Sequence, residues 1–223
     1  MNSVVGEILP LAVGVAISPI PVITAILMLL SPKARSTSVG FLLGWVVGIV
    51  AAVTVFTALS SVVPDPGPDG PKLAQGAIQL VLGAVLVLLA VRQWRSRPKR
   101  GAEPAMPKWM QAVDKAGFGT ALGLGVLLSA VNPKNLLLAV AAGGAIGSAG
   151  LTGGGVAGAI AIYSLLAAST VLLPVVGYAI AAEKLRAPLD ALRVWLGRES
   201  SVIMAVLLLV LGVDLLGKGI GSF

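Results

Sequence analysis

The sequence predicts an all-α polytopic membrane protein with six transmembrane helices, arranged as two inverted three-helix repeats with broken first and fourth helices. Composition is the first support: 57% of the 223 residues are hydrophobic and 11% charged, against about 25% charged in soluble domains. Mean hydropathy is +0.99. The second support is that the apolar runs are continuous and reach the length of a membrane crossing. The third is a proline-containing stretch that recurs at a fixed offset. Helices are required because the bilayer core offers backbone groups no water to bond. A β-barrel would show period-2 alternation over about 10 residues, and these runs lack it.

A crossing takes about 20 apolar residues at 1.5 Å each. Uncharged runs place the first three spans at 8–31, 38–61 and 73–91. No charge occurs from 135 to 182, a run longer than two crossings, so the chain must turn once within it. "GSAGLTGGG" (147–155) is the turn. The remaining spans are then 118–147, 155–181 and 200–217. The chain divides into transmembrane repeat 1 (1–92), a basic cytoplasmic loop with an amphipathic helix (93–117), and transmembrane repeat 2 (118–223). A seven-span alternative puts Lys134 in an outer loop and leaves "LLLAVAAGGAIGSAG" as a short, glycine-rich span.

Charge sets the orientation. Loops after spans one, three and five hold Lys33 and Arg35, the seven basic residues from Arg92 to Lys115, and the four from Lys184 to Arg198. The other side holds Lys72 and Lys218. This bias puts the three basic loops in the cytoplasm and both termini outside, in a multi-pass plasma-membrane protein. The N-terminal "MNSVVGEILPLAVGV" lacks a basic region and is read as a retained span.

Several function classes drop out. The net charge of +7 is confined to loops, which fits membrane topology and argues against a nucleic-acid partner. With no cysteine and no histidine, disulfides, thiolate metal sites and histidine proton shuttles are excluded. No metal and no cofactor is expected. "RSRPKRGAEPAMP" is Pro-rich and charged, as mobile linkers are. "KWMQAVDKAGF" sets Trp109, Met110, Val113 and Gly117 at helical spacing, as an interfacial helix does. "APLDALRVWLG" repeats the theme, with Pro188 at a helix start and Trp195 near the headgroups. Membrane lipids are the partners these segments imply.

An offset of 114 superposes "ISPIPVITA" (17–25) on "VNPKNLLLA" (131–139), pairing Ser18 with Asn132 and Pro19 with Pro133. The same offset pairs Gly40 with Gly154 and Gly44 with Gly158. Three spans separate the copies, so their orientations in the membrane are opposite. Inverted repeats with broken helices at matching positions point to a transporter's midplane site. Pro19, Pro21 and Pro133 remove backbone donors and free carbonyls four residues earlier. Ser18, Asn132 and Asn135 can bond the freed groups. A packing kink satisfied by neighbouring helices is the plainer reading of such prolines. Gly40/Gly44 and Gly154/Gly158 are small-xxx-small patches that suit internal helix packing, with homodimer formation the other use.

Lys134 is the only charged residue from Ala116 to Ala182. An intramembrane charge costs about 2.5–3.5 kcal/mol on insertion scales and marks a function by default. Glu7 and Asp214 lie near outer ends, while Glu183, Asp190 and Glu199 lie in a cytoplasmic loop, so no acidic partner is expected at its depth. The lysine then snorkels, is neutral, or meets an anion from outside. A phosphate or carboxylate is the expected counter-charge, assisted by amides at the helix breaks. Lysine protonation, sodium at broken-helix carbonyls and passive exchange all stay open as coupling modes.

First-span "SPIPVI", fourth-span "NPKN" and the "GFLLGW" that opens span two resemble the lysine exporter superfamily. The likeness is greatest to its actinobacterial GAP-like, or sulfolipid-addressing, family, and it covers most of the chain. Ile20 stands where amino-acid exporters of the superfamily usually have glycine, which favours the lipid-addressing branch. The resemblance implies export of cell-envelope (glyco)lipids or their precursors.

The resulting expectation is a transporter that exports or flips an anionic amphiphile, a phospholipid or glycolipid, and is not an enzyme. Lys134, Asn132, Asn135 and Ser18 bind it, and Pro19, Pro21 and Pro133 form the gating breaks. A small-molecule exporter of amino acids or organic ions is one alternative. An accessory scaffold of a larger lipid-export machinery is another. A Ser129–Lys134 pair would be the only nucleophile available to an enzyme, and a spacing of five residues does not bring the two together.

Overall fold

The computed structural model describes residues 2–62, 73–97 and 116–222. Among them all regular structure is helical. Helices α1 (Asn2–Ala16) and α2 (Pro19–Leu30) form a bent pair, followed by α3 (Ala34–Val62) and α4 (Leu73–Arg95). Helix α5 (Phe118–Val126) passes through a π turn (Leu127–Val131) and bends into α6 (Pro133–Gly147). The last helix, α7 (Gly153–Ile220), has 68 residues and non-helical backbone at Ala181.

Helices α3, α4 and α7 are long and apolar enough to cross a membrane, and five segments qualify if each bent pair is one span. The bends are 52° between α1 and α2 and 60° between α5 and α6. At 1.5 Å per residue, α7 would run about 100 Å if straight, over three times the roughly 30 Å hydrocarbon core. Its kink at Ala181 divides it into two arms.

The breaks fall where the prolines are. Both second halves start with proline at the first helical position, after Ser18 and Asn132 in extended conformation. The match at an offset of 114 is therefore one of backbone geometry as well as residue type. Proline suits that position because its missing N–H has no intrahelical partner there. Between α6 and α7 the chain turns at Gly150, whose φ of 60° only glycine adopts freely.

Two sequence expectations need adjusting. Residues 182–199 were expected as a loop, with Pro188 starting a helix; instead the helix continues through them, with Pro188 inside. The Glu, Lys, Leu, Arg and Ala of that stretch are good helix formers, and it buries Leu189 and Leu196 on one face. The helix expected over "KWMQAVDKAGF" lies almost wholly outside the described residues.

One main core contains Ile8, Trp45, Leu86, Leu138, Tyr163 and Leu208, joining α1, α3, α4, α6 and both arms of α7. Helix α3 meets α5 almost at backbone contact. A Cβ on Gly40 would lie 2.6 Å from the Phe118 carbonyl oxygen, and one on Gly44 would run into that of Leu122. Helix α4 approaches the C-terminal arm of α7 in the same way, through Gly83 and Gly212. Small residues at these crossings permit the approach.

Candidate functional site at the paired helix breaks

Ile17 N–H makes the last regular bond of α1, to Val13 O at 2.8 Å. Ser18 N–H then turns to Ala16 O at 2.8 Å, and Pro19 has no N–H. The carbonyls of Gly14 and Val15 therefore lose the donors that a continuing helix would supply. A buried carbonyl without a donor costs about 1–3 kcal/mol, so partners must come from elsewhere.

Side chains from three elements provide them. Lys134 of α6 donates through Nζ to Gly14 O at 2.7 Å. Ser18 donates through Oγ to Val15 O at 2.6 Å. Thr170 of α7 donates through Oγ1 to Ala16 O at 2.6 Å. Lys134 Nζ also donates to Ser18 Oγ, so the lysine joins the second break to the first. An ammonium at the negative end of α1 is favourably placed for the helix dipole.

The second break completes itself similarly. Asn132 accepts the Lys134 backbone N–H on Oδ1 at 3.0 Å, and Asn135 donates through Nδ2 to Leu128 O at 3.0 Å. The sequence predicts that Ser18, Asn132 and Asn135 bond groups freed at the breaks; Ser18 and Asn135 donate to carbonyls there, while Asn132 caps the N–H of Lys134 instead. Lys134, Ser18 and Asn135 are closed off, at 4%, 3% and 2% exposure. Asn135 Oδ1 is buried without a partner.

Lys134 Nζ meets neutral oxygens. The ion pairs among the described residues are Arg193–Asp190 and Lys218–Asp214, both at 2.8 Å and both remote in sequence. The positive ends of α2 and α6 also start at these breaks. Of the first three residues of α2, only Ile20 has an N–H, because Pro19 and Pro21 lack one. The breaks reach the outside of the bundle, where Ile20, Val131 and Pro133 are exposed. A cleft of about 250 Å³, lined by Thr54, Thr57, Ile146 and Leu151 among others, does not include Lys134.

Other candidates fall elsewhere. Ser129 Oγ donates to Gly125 O at 2.8 Å and Val126 O at 3.1 Å, on the side where a Gly48 Cβ would meet it. Gly40 and Gly44 pack against α5, whereas a Cβ on Gly154 would meet nothing within 4 Å and Gly158 is half-buried. Two members of the site were missed. Gly14 acts through its carbonyl, which residue type does not reveal. Thr170 had a faint signal: it is a polar residue four positions before Pro174, the proline inside α7.

Thr170→Val is expected to destabilise the protein by about 1 kcal/mol, a typical net hydrogen-bond contribution, because Ala16 O keeps its bond from Ser18 N–H. Unfolding in mixed micelles measures this. A change within error would show that Thr170 does not help hold the break.

No curated protein and no solved structure matches the chain. A family model does, from residue 8, in the helix that Lys134 caps, to residue 221, one past the end of α7. That range includes both breaks and every residue of the site between them, and the chain accordingly belongs to the family of Sap, the sulfolipid-1-addressing protein.

Proposed function

We propose that this chain is a membrane transporter that exports or flips an anionic amphiphile, a phospholipid- or glycolipid-like species, across the plasma membrane. The observation that carries the reading is a buried lysine holding two neutral oxygens across a pair of helix breaks, without a carboxylate partner among the described residues. Its ammonium has three donors, and two are used by Gly14 O and Ser18 Oγ. An anionic headgroup takes the third and supplies the counter-charge, assisted by the positive ends of α2 and α6. Asn132 and Asn135 line the same break. Exposure of Ile20, Val131 and Pro133 beside it suits a cargo whose chains stay in lipid. The family description, which concerns addressing of a sulfolipid, agrees with lipid cargo.

The topology in this reading is six spans, with each bent pair crossing once and α7 crossing twice about its kink. Both termini lie outside, the basic loops lie inside, and the two halves are inverted repeats. The matched breaks at offset 114 support the repeat, and the Lys/Arg bias supports the orientation.

The test is purified protein in liposomes containing fluorescent phosphatidylglycerol or phosphatidylcholine. The anionic lipid is expected to cross at least about tenfold faster, a preference worth about 1.4 kcal/mol. Equal rates, or no movement above empty liposomes, would overturn the lipid reading. Uptake of a small organic anion without lipid movement would favour a small-molecule exporter instead.

A further inference from the structure

The hydrogen bonds at Lys134 Nζ fix how many protons the empty site can use. Gly14 O is a carbonyl and only accepts. Ser18 Oγ has one proton, which it gives to Val15 O at 2.6 Å, so toward the lysine it too is an acceptor. Two N–H groups therefore fill both partners, and among the described residues no third acceptor meets the nitrogen. Asn135 Oδ1, the orphan acceptor on the next residue, does not bond it. A neutral amine has two N–H groups and an ammonium has three. The empty site matches the amine, and it would leave one N–H of the ammonium buried without an acceptor.

The surrounding helices supply no counter-charge among the described residues. Helices α1, α3, α4 and α7 pack on α6. Glu7 of α1 is exposed, seven residues before Gly14. Arg35 stands in the first turn of α3, and Arg92 and Arg95 in the last turn of α4. On α7, the residue bonded at the break is Thr170. Tyr163, a phenol, precedes it by about two turns, with its oxygen unpaired. Tyr178 and the charged residues from Glu183 to Glu199 come after Pro174, and Asp214 pairs with Lys218. Helices α2 and α5 and the π turn carry no titratable residue. The end of α1 favours positive charge, but it offers only about half an elementary charge. A buried charge without a full counter-charge neutralises instead.

We infer that Lys134 is a neutral amine in the empty site and takes up one proton as an anion binds, so that anion and proton travel together. The proton comes from water on the loading side and adds to the nitrogen lone pair; no other bond changes. It creates the third N–H, which is the one the headgroup accepts. On release the proton leaves with the anion, and the amine returns to its two oxygens. A singly charged headgroup and the new ammonium cancel, so the loaded site carries no net charge across the bilayer. This rests on the transporter reading for its anion, whereas the amine of the empty site does not depend on it.

Magnetic resonance of protein with isotope-labelled lysine Nζ, in phosphatidylcholine nanodiscs, distinguishes amine from ammonium by chemical shift. The other seven lysines, in or beside the charged stretches between apolar runs, supply ammonium references, and Lys134→Met removes the signal in question. At mildly alkaline pH the empty protein is expected to show one amine, which short-chain phosphatidylglycerol converts into an ammonium. Ser18→Asp, whose carboxylate holds the proton in place, is expected to show the ammonium without added lipid. Calorimetry of the binding in two buffers of different ionisation enthalpy is expected to give an uptake of about one proton per lipid, with affinity falling about tenfold per pH unit in this range. An ammonium both before and after phosphatidylglycerol binds would overturn the proton linkage and keep the anion site. An amine that phosphatidylglycerol leaves unchanged would remove the linkage and the anion reading together, and reduce Lys134 to a neutral helix cap.

Discussion

Lys134→Met is expected to lower movement of phosphatidylglycerol in liposomes by at least about tenfold, since a hydrogen bond to a charged group is worth about 1.5–3 kcal/mol. It also leaves Gly14 O, a carbonyl at the end of α1, without its donor, so the variant should be less stable by about 1–3 kcal/mol. Ser18→Asp separates the two effects. It puts a carboxylate beside the ammonium, and opposite charges at about 4 Å attract by roughly 4 kcal/mol at an effective dielectric of 20. That internal counter-charge competes with the headgroup, so transport is lost while Gly14 O keeps its donor, although Val15 O loses the bond from the Ser18 hydroxyl. Loss of transport in both variants, although Ser18→Asp retains the lysine, is the signature of an anion site. Wild-type transport by Lys134→Met would reduce the lysine to a helix cap.

Gly44→Val is expected to destabilise the fold by more than 3 kcal/mol. Even the Cβ would collide with the Leu122 carbonyl of α5, and overpacking already costs about 1–3 kcal/mol where side chains can yield. Here the obstacle is backbone. Gly154→Ala, at the position that the 114 offset pairs with Gly40, meets nothing and should stay within about 0.5 kcal/mol, as surface changes do. Thermal unfolding in detergent, with the monodisperse fraction as a second readout, compares the two. Equal losses would mean that α3 and α5 are not packed as closely as described.

The glycine pairs show how sequence symmetry and structural use diverge. Gly40 and Gly44 face a helix within the same bundle, and Gly154 opens outward. The offset that aligns them preserves helix register but not the neighbour: α5 packs on Gly40 and Gly44, and among the described residues nothing lies within 4 Å of a Cβ on Gly154. Lys134 shows the converse. Its burial and its lack of an acidic partner nearby in sequence were legible from the residues around it. Its actual partners were not, since Gly14 O is a backbone atom 120 residues away in sequence.

Sequence alone determined the helical class, the location of both breaks and the isolation of one lysine among apolar residues. These follow from local rules: span length, the missing N–H of proline, and the cost of charge in hydrocarbon. Only the tertiary structure decided that Lys134 caps α1 and that Thr170 assists. It also decided that Ile23, Ile26 and Leu29 of α2 pack with Val175, Leu189 and Leu196 of α7. Those outcomes depend on which orphan carbonyl meets which donor once the helices pack, and no spacing within the chain encodes that meeting.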